Sequence, residues 1–333
     1  MRVAAIDCGT NSIRLLIADA AESTPEDEAA TPVLTEVLRR TEVVRLGQGV
    51  DRTGRLDPAA LERTLGMCRE YAQQCREHGV PAGRVRFVAT SASRDASNAD
   101  EFVAGVREAF GDLDVAPEVV TGAEEAALSF AGATAGLADA GFDGPYLVAD
   151  IGGGSTEIVR GIHEVVAGTS LDIGSVRLTE RHHRTDPPTQ EVVDAARFDI
   201  AEALDVAEAE VGLGGVTTVV GLAGSVTTVA ALALGLTSYD REAIHLARIP
   251  IEEMMIACER LILSTRAERA AQPFMHPGRV DVIGAGALIW WEVLERARGA
   301  NGPDLVVTVS EHDILDGIAQ SVVRPVVVEE ETA

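Results

Sequence analysis

Lysine is absent from this chain of 333 residues, so all 28 of its basic residues are arginine, against 53 acidic ones. A Walker-A phosphate loop and a protein kinase active site each need a lysine, and both classes are therefore excluded. Enzymes that form a Schiff base on a lysine amine are excluded for the same reason. Any phosphate chemistry here must use backbone N–H groups, hydroxyl groups, arginine and metal ions.

Cysteine is scarce, and no two cysteines form a CxxC pair, so neither a zinc ribbon nor a redox pair is indicated. The four are Cys8, Cys68, Cys75 and Cys258. Cys68 and Cys75 fall on one face of a predicted helix, about 10 Å apart along its axis, which is too far for a disulfide. We therefore expect thiols buried in the core.

Long apolar runs are also missing, since no stretch approaches the roughly 18 residues that a membrane-spanning helix needs. The opening residues lack the architecture of a signal peptide, so a cytoplasmic protein without a membrane partner is expected. The net charge of −25 argues against binding nucleic acid along a broad surface. A hydrophobic content of 46% is typical of a globular protein with one large or two ordinary domains.

Strands alternate with helices along the chain, which predicts an α/β architecture. The order strand, Asp, turn, strand at 2–19 recurs at 145–162 and indicates an internal duplication. Between the two copies, Asp57-Pro58 predicts a helix start with Asp as the N-cap. The acidic segment 22–32 is predicted to be an exposed loop, and the domain junction is expected near 121–123.

The first turn follows Asp7 at the end of a strand and consists of small and polar residues. Such a turn directs backbone N–H groups and hydroxyls toward an anion, and the Asp can hold a metal ion. An ordinary Asx-type hairpin turn explains the same residues equally well. The residues of interest are Thr10, Asn11 and Ser12.

The second turn follows Asp150 and contains three consecutive glycines, which let the backbone approach a ligand closely. Because glycine runs are costly in entropy, a phosphate loop explains them better than a plain turn. Two such turns from duplicated halves would face each other across a cleft. Asp7 and Asp150 would then share a divalent cation, with Glu157 nearby.

A third turn, Gly221-Leu222-Ala223-Gly224-Ser225, lies between a predicted strand and a predicted helix. A helix N-terminus that opens with Gly-Ser is a possible anion site, because its N–H groups lack intrahelical partners. N-capping by Ser225 is the more ordinary explanation of the same residues.

In this order the three turns resemble those of the actin-like ATPase superfamily. The closer resemblance is to the exopolyphosphatase/guanosine pentaphosphate phosphatase (Ppx/GppA) family, and it spans residues 3 to about 320. It rests on seven ordered motifs: AIDCGTNSIRLLIAD, ATSASRDASN, TGAEEA, DIGGGSTE, GSVRLTE, GLAGSVTTVAAL and VDVIGAGALI. Thr121 stands where Ser is common, and 22–32 resembles an insertion. The C-terminal helical extension of the long members is not expected.

The resemblance implies two duplicated actin-like, ribonuclease H-like domains, at 1–122 plus about 310–333 and at 123–309. It implies that Glu125 is the general base that activates water, with Glu124 as the competing neighbour, and that Arg94 binds the phosphoryl group. Mg²⁺ or Mn²⁺ would be held by Asp7, Asp150 and Glu157, and K⁺ is a further candidate cofactor. The predicted phosphate-binding residues are Thr10, Asn11, Ser12, Gly152, Gly153, Gly154, Ser155, Thr156, Gly224 and Ser225.

A polyanionic substrate needs local positive charge in spite of the overall negative charge, because screening limits the reach of charges to about 8–10 Å. The candidates to guide a polyphosphate tail are Arg14, Arg177, Arg181 and Arg184. The cluster at 181–184 is also explained by a solvated loop.

Stepwise hydrolysis of terminal phosphate from inorganic polyphosphate is the function that the resemblance implies. Hydrolysis of the 5′ γ-phosphate of guanosine pentaphosphate is the nearest alternative, since it needs the same residues. An ATP-dependent phosphotransferase and a non-catalytic polyphosphate-binding protein are further alternatives. A homodimer is expected by default.

Overall fold

The computed structural model describes residues 1–21, 32–182 and 185–324. It divides into two compact units: the first contains residues 1–135 together with the segment that begins at Ile314, and the second contains residues 136–313. Residues 22–31 of the predicted acidic loop, and Arg184, lie outside the described residues.

The first unit is an α/β unit built on five strands. Its elements are β1 (Arg2–Cys8), β2 (Ser12–Ala20), β3 (Leu34–Val43), α1 (Val50–Thr53), α2 (Pro58–Glu77), β4 (Val85–Ala89), α3 (Ser91–Arg94), α4 (Ala99–Phe110), a 3₁₀ turn (Gly111–Leu113), β5 (Glu118–Val119) and α5 (Gly122–Thr134).

The second unit repeats this plan with more helices. Its elements are β6 (Tyr146–Ile151), β7 (Thr156–Gly161), β8 (Val165–Leu171), α6 (Ser175–Arg181), α7 (Gln190–Glu210), β9 (Thr218–Leu222), α8 (Ala223–Ala233), α9 (Arg241–Ile244), α10 (Ile251–Leu263), α11 (Arg266–Ala270), a 3₁₀ turn (Pro277–Arg279), α12 (Ile283–Asn301) and β10 (Val306–Val309). Helix α13 (Ile314–Val323) then belongs to the first unit.

The two sheets have the same topology. The first has the strand order β3-β2-β1-β4-β5, and the second has β8-β7-β6-β9-β10. In each, the first three strands of the order pair antiparallel, and the next two pairings are parallel. The predicted duplication and the predicted α/β architecture are therefore confirmed.

Local signals in the sequence set the start of α2. Asp57 accepts hydrogen bonds from the backbone N–H groups of Ala59 and Ala60, and Pro58 opens the helix. Such a cap satisfies N–H groups that have no intrahelical partner, and its loss costs about 0.5–2 kcal/mol. The helix then buries Cys68 and Cys75 against the sheet.

One face of the first sheet is covered by α5 and α13, which come from the two separate segments of the first unit. Leu128 of α5 and Ile318 of α13 lie in one buried cluster with Val3 and Val88 of the strands. Helix α5 packs tightly on α13, since a Cβ added to Gly317 would lie 2.0 Å from the carbonyl oxygen of Leu128. For this reason α5 belongs to the first unit, and the compact units divide after Ala135 rather than near 121–123.

All four cysteines are free and buried. Burial raises the pKa of the Cys68 and Cys75 thiols to about 12 and moves the pKa of Cys8 and Cys258 well above its ordinary value. Because the thiolate is the reactive form, none of these thiols is expected to react in the folded protein. Titration with Ellman's reagent should count no thiol in the native state and four after denaturation. One fast-reacting native thiol would contradict this burial.

Among residues 1–21, 32–182 and 185–324, no helix is both long and apolar enough to cross a bilayer.

Candidate active site

The first hairpin turn connects β1 to β2 and stands beside the end of β4. The turn is closed by the N–H of Gly9, which donates to the carbonyl of Ser12 at 2.9 Å. Because β1 and β4 are parallel, their carboxyl ends lie side by side, and the Thr10 hydroxyl meets that of Ser91 at 2.9 Å. Asn11 Oδ1, a hydrogen-bond acceptor, is buried without a partner among the described residues.

Asp7 and Arg14 are cross-strand partners at the base of this hairpin. Arg14 donates from both Nε and Nη2 to Asp7 Oδ2, at 2.8 and 2.7 Å. The two side chains are only 7% and 17% exposed, respectively. Arg14, which the sequence suggests for a polyphosphate tail, is therefore engaged at the base of the first turn.

Arg94 and Glu125 are brought together by α3 and α5. Arg94 Nη1 donates to Glu125 Oε2 at 3.1 Å and to the carbonyl of Val120 at 3.0 Å. Glu125 is buried at 7% exposure. A buried carboxylate that is held by an arginine differs from the solvated acid that is common at the start of a helix.

The neighbouring Glu124 has a different environment. It forms a capping box with Thr121: its carboxylate accepts from the Thr121 N–H at 2.8 Å, and the Thr121 hydroxyl accepts from the Glu124 N–H at 3.2 Å. This arrangement satisfies backbone groups at the start of α5. Geometry thus separates the two adjacent acids, which the sequence alone leaves as competitors.

The second hairpin turn, between β6 and β7, repeats the first, since Gly152 N–H donates to the Ser155 carbonyl at 3.0 Å. The carbonyls of Gly152 and Gly153 accept from the first N–H groups of α6, and the Gly154 carbonyl accepts from Arg177 Nε at 2.7 Å. In a trans peptide the N–H points opposite to the C=O. The N–H groups of residues 153–155 are therefore turned away from α6, as a cradle for an anion requires.

Gly174 allows this anchoring. A Cβ added to it would lie 2.4 Å from the carbonyl oxygen of Gly153 and 2.6 Å from the carbonyl carbon of Gly154. Real Cβ atoms do not approach backbone so closely, so only glycine fits at this position. Its motif, GSVRLTE, is visible in the sequence, but the reason for its glycine is a tertiary contact that no local pattern reveals.

Asp150 and Glu157 lie directly opposite each other on β6 and β7. Both are buried, and Glu157 Oε1 accepts from the Ser170 hydroxyl at 2.7 Å. Cross-strand partners point to the same face of a sheet, and like charges at such positions repel. A cation that binds between them relieves this repulsion. Thr156, next in the turn, instead donates its hydroxyl to the carbonyl of Ile173.

The structure of the third turn differs from the one expected if Ser225 were the N-cap of the helix. Helix α8 begins at Ala223, and its N-cap, Leu222, makes no side-chain hydrogen bond, so N-capping by Ser225 is wrong. Ser225 lies inside the first turn and packs on Gly286 of α12, where an added Cβ would be 2.3 Å from its Oγ. The guanidinium of Arg279 covers Gly224, since a Cβ there would be 2.2 Å from Cζ.

The remaining candidates for the polyphosphate tail have partners within the second unit. Arg177 contacts Gly154 and lies 3.5 Å from Asp172. Arg181 lies 3.7 Å from Asp199, whose carboxylate also accepts from the His182 ring at 2.8 Å. A phosphate chain could bind Arg177 and Arg181 only by sharing them with these carbonyl and carboxylate groups.

Comparison with known proteins finds a matching family and several relatives of this chain. The model of the Ppx/GppA phosphatase family matches residues 25–318. Exopolyphosphatase 2 of Mycobacterium tuberculosis is 53% identical over 322 residues, which cover 96% of this chain and 98% of the relative. The crystal structure of an exopolyphosphatase-like protein has a TM-score of 0.88 at 42% identity and covers 96% of this chain and 97% of its own. The Aquifex aeolicus family member has a TM-score of 0.76 at 31% identity and 97% coverage of both chains.

Proposed function

Because the chain belongs to the Ppx/GppA phosphatase family, we propose that it is an exopolyphosphatase, which hydrolyses the terminal phosphate of inorganic polyphosphate. The Arg94–Glu125 pair is the observation that carries this proposal. Hydrolysis needs a base for water and a cation for the phosphoryl group, and a buried carboxylate with an arginine beside it can supply both. The 53% identity to an exopolyphosphatase supports the same substrate.

In the proposed mechanism Glu125 orients a water molecule and accepts its proton. The water oxygen forms a bond to the terminal phosphorus while the bond from that phosphorus to the bridging oxygen breaks. The contacts of Arg94 to Glu125 and Val120 both use Nη1, so the N–H donors on its Nη2 and Nε can reach phosphoryl oxygens. Two such bonds neutralise charge on the transferred group as it moves toward water.

Each glycine-containing turn would bind phosphate through its own backbone N–H groups. The N–H groups of residues 153–155 point away from α6 and can donate to phosphate oxygens. Binding by backbone groups is consistent with a chain that has no lysine to offer a phosphate. Thr10, Ser12 and Ser155 complete this predicted set.

The side chains fit a divalent cation such as Mg²⁺ or Mn²⁺. Asp150 and Glu157 provide two hard oxygen donors on one face of the second sheet. No group of three or more His, Cys, Asp or Glu forms a complete metal site in residues 1–21, 32–182 and 185–324. Mg²⁺ in phosphate-processing sites commonly takes one or two carboxylates, with substrate phosphates and waters as its other ligands. When bound, the cation would supply charge neutralisation at the phosphate oxygens.

Phosphate release from three substrates tests the proposal: long-chain polyphosphate, tripolyphosphate and guanosine pentaphosphate. With Mg²⁺ we expect release from polyphosphate, and chelation should reduce the rate by at least about 10²-fold, since a metal contributes several kcal/mol to the transition state. Parallel reactions with Mn²⁺ and with added K⁺ identify the preferred ions.

The other outcomes of this assay are equally informative. Release from the nucleotide alone would replace the proposed substrate with guanosine pentaphosphate. Polyphosphate binding without release from any substrate would indicate a non-catalytic binding protein and contradict the role of Glu125. The predicted homodimer is tested separately by sedimentation at several concentrations.

A further inference from the structure

The second turn contains three peptide groups whose orientation must be fixed by other parts of the chain. Residues 152–154 are all glycine, and glycine has no Cβ, so these peptides can rotate with little steric hindrance. The N–H groups of residues 153–155 donate to no acceptor within residues 1–21, 32–182 and 185–324. The contacts that hold these peptides therefore decide whether their N–H groups can meet an anion.

Backbone groups of α6 orient the first two of these peptides. The carbonyl of Gly152 accepts from the Ser175 N–H at 3.0 Å. The carbonyl of Gly153 accepts from the N–H groups of Val176 and Arg177, at 2.9 and 3.1 Å. Every residue except proline has a backbone N–H, so these bonds do not depend on which side chains α6 carries. The path of the backbone thus orients the first two N–H groups of the turn.

The third peptide, which joins Gly154 to Ser155, is oriented by a side chain. Its carbonyl accepts from Arg177 Nε at 2.7 Å, the short distance of a charge-assisted hydrogen bond. The Arg177 side chain is only 11% exposed, and it also lies 3.5 Å from Asp172. Because the N–H of a trans peptide points opposite to its C=O, this bond turns the Ser155 N–H away from α6. A rotated peptide would present its carbonyl oxygen instead, which repels an anion.

We propose that Arg177 is a positioning residue that sets the direction of the Ser155 N–H and thereby one hydrogen bond to phosphate. The sequence suggests this arginine for the polyphosphate tail, whereas its contact with Gly154 lies in the turn proposed for the phosphate itself. The inference rests on the proposed function, from which it takes phosphate as the ligand of the turn. It predicts that every substrate is affected by the loss of Arg177, whatever its chain length.

Nuclear magnetic resonance can observe this peptide almost alone. Labelling glycine with carbonyl ¹³C and serine with ¹⁵N selects the places where Ser follows Gly, which are 154–155, 174–175 and 224–225. When inorganic phosphate and Mg²⁺ are added to the wild type, the Gly154–Ser155 signal should move, because its N–H gains an acceptor. Arg177→Met keeps a long side chain without a donor, and it should need at least about tenfold more phosphate for the same change.

Asp172→Asn is the matched control, because it removes the charge beside Arg177 and leaves the bond to Gly154. Asp172 is exposed, so its signal should respond to phosphate within about twofold of the wild type. A wild-type Gly154–Ser155 signal that ignores phosphate, or an equal response in Arg177→Met, would overturn the inference. These titrations need no turnover, so they remain decisive if polyphosphate is not hydrolysed, and the phosphate-release assay tests the proposed function separately.

Kinetics of the Arg177 variants form the second test. Arg177→Met should lower kcat/KM about 10- to 100-fold on tripolyphosphate and on long polyphosphate alike. Arg177→Lys should recover part of this loss, since its ammonium can donate to the same carbonyl but lacks the planar guanidinium. A KM that rises with chain length at unchanged kcat would assign Arg177 to the tail and overturn the proposal.

Circular dichroism melts identify the variants that are folded. If Arg177→Met is not among them, Arg177→Lys replaces it in both tests, with a smaller loss in the same direction. An effect of Arg177→Lys that is confined to long chains, or no effect at all, would then overturn the inference.

Discussion

Glu125→Gln is expected to lower kcat on polyphosphate by about 10²- to 10⁴-fold, the range that a positioned general base contributes. The amide has the same shape and can still accept a hydrogen bond from Arg94, which lies 3.1 Å away in the native protein. It cannot accept a proton from water, so the loss should appear in kcat while KM changes little. Steady-state phosphate release with Mg²⁺ measures both.

Glu124→Gln is the matched control, because it makes the same chemical change one residue away. Glu124 belongs to the capping box with Thr121, so its substitution should cost at most about 1 kcal/mol of stability. Its kcat should stay within about twofold of the wild type. The reverse pattern, with a large loss for Glu124→Gln and none for Glu125→Gln, would assign the base to the other acid.

Gly174→Ala is expected to reduce kcat/KM by about 10²-fold, the effect of moving a binding group by about 1 Å. The added methyl group would lie 2.4 Å from the Gly153 carbonyl oxygen, so the glycine turn or α6 must shift. Overpacking of this kind costs about 1–3 kcal/mol. Thermal melts together with kinetics with and without Mg²⁺ distinguish a displaced turn from an unfolded protein.

Gly299→Ala provides the comparison within the same unit. Gly299 lies in α12 and is exposed, and an added Cβ meets no atom within 4 Å. Alanine there should stabilise the protein by about 0.5–1 kcal/mol, since glycine is unfavourable in a helix. Activity should not change. If Gly174→Ala left the activity unchanged, as is expected for Gly299→Ala, the close approach of Gly174 to the turn would not be needed for catalysis.

The sequence predicts those features that depend on short stretches of chain. Asp57-Pro58 marks the start of α2 because capping is local, and the two strand–turn–strand segments reveal the duplication because each turn lies within a few residues of its Asp. The pairing of Asp7 with Arg14 across the first hairpin, and the hydrogen bonds between them, appear only in the structure.

Features that depend on distant parts of the chain are not accessible in this way. Gly174 is required by the carbonyl of Gly153, and the guanidinium that covers Gly224 comes from Arg279, 55 positions further along (279 − 224). The sequence predicts a helix that opens with Gly224-Ser225, whereas the structure begins this helix one residue earlier, at Ala223. The division between the units differs from 121–123 because α5 packs on α13, and that contact spans most of the sequence.

The discontinuous first unit has a consequence for the order of events during synthesis. Domains usually fold as they emerge from the ribosome, beginning with the N-terminal one. Here the sheet of the first unit buries Val3 and Val88 against Ile318, a residue that is translated only after the entire second unit. The N-terminal strands therefore keep part of an apolar face uncovered until α13 is translated. The second unit is continuous in sequence and can fold before that point. Part of the apolar surface of the first unit therefore stays exposed on the nascent chain until α13 has been synthesised.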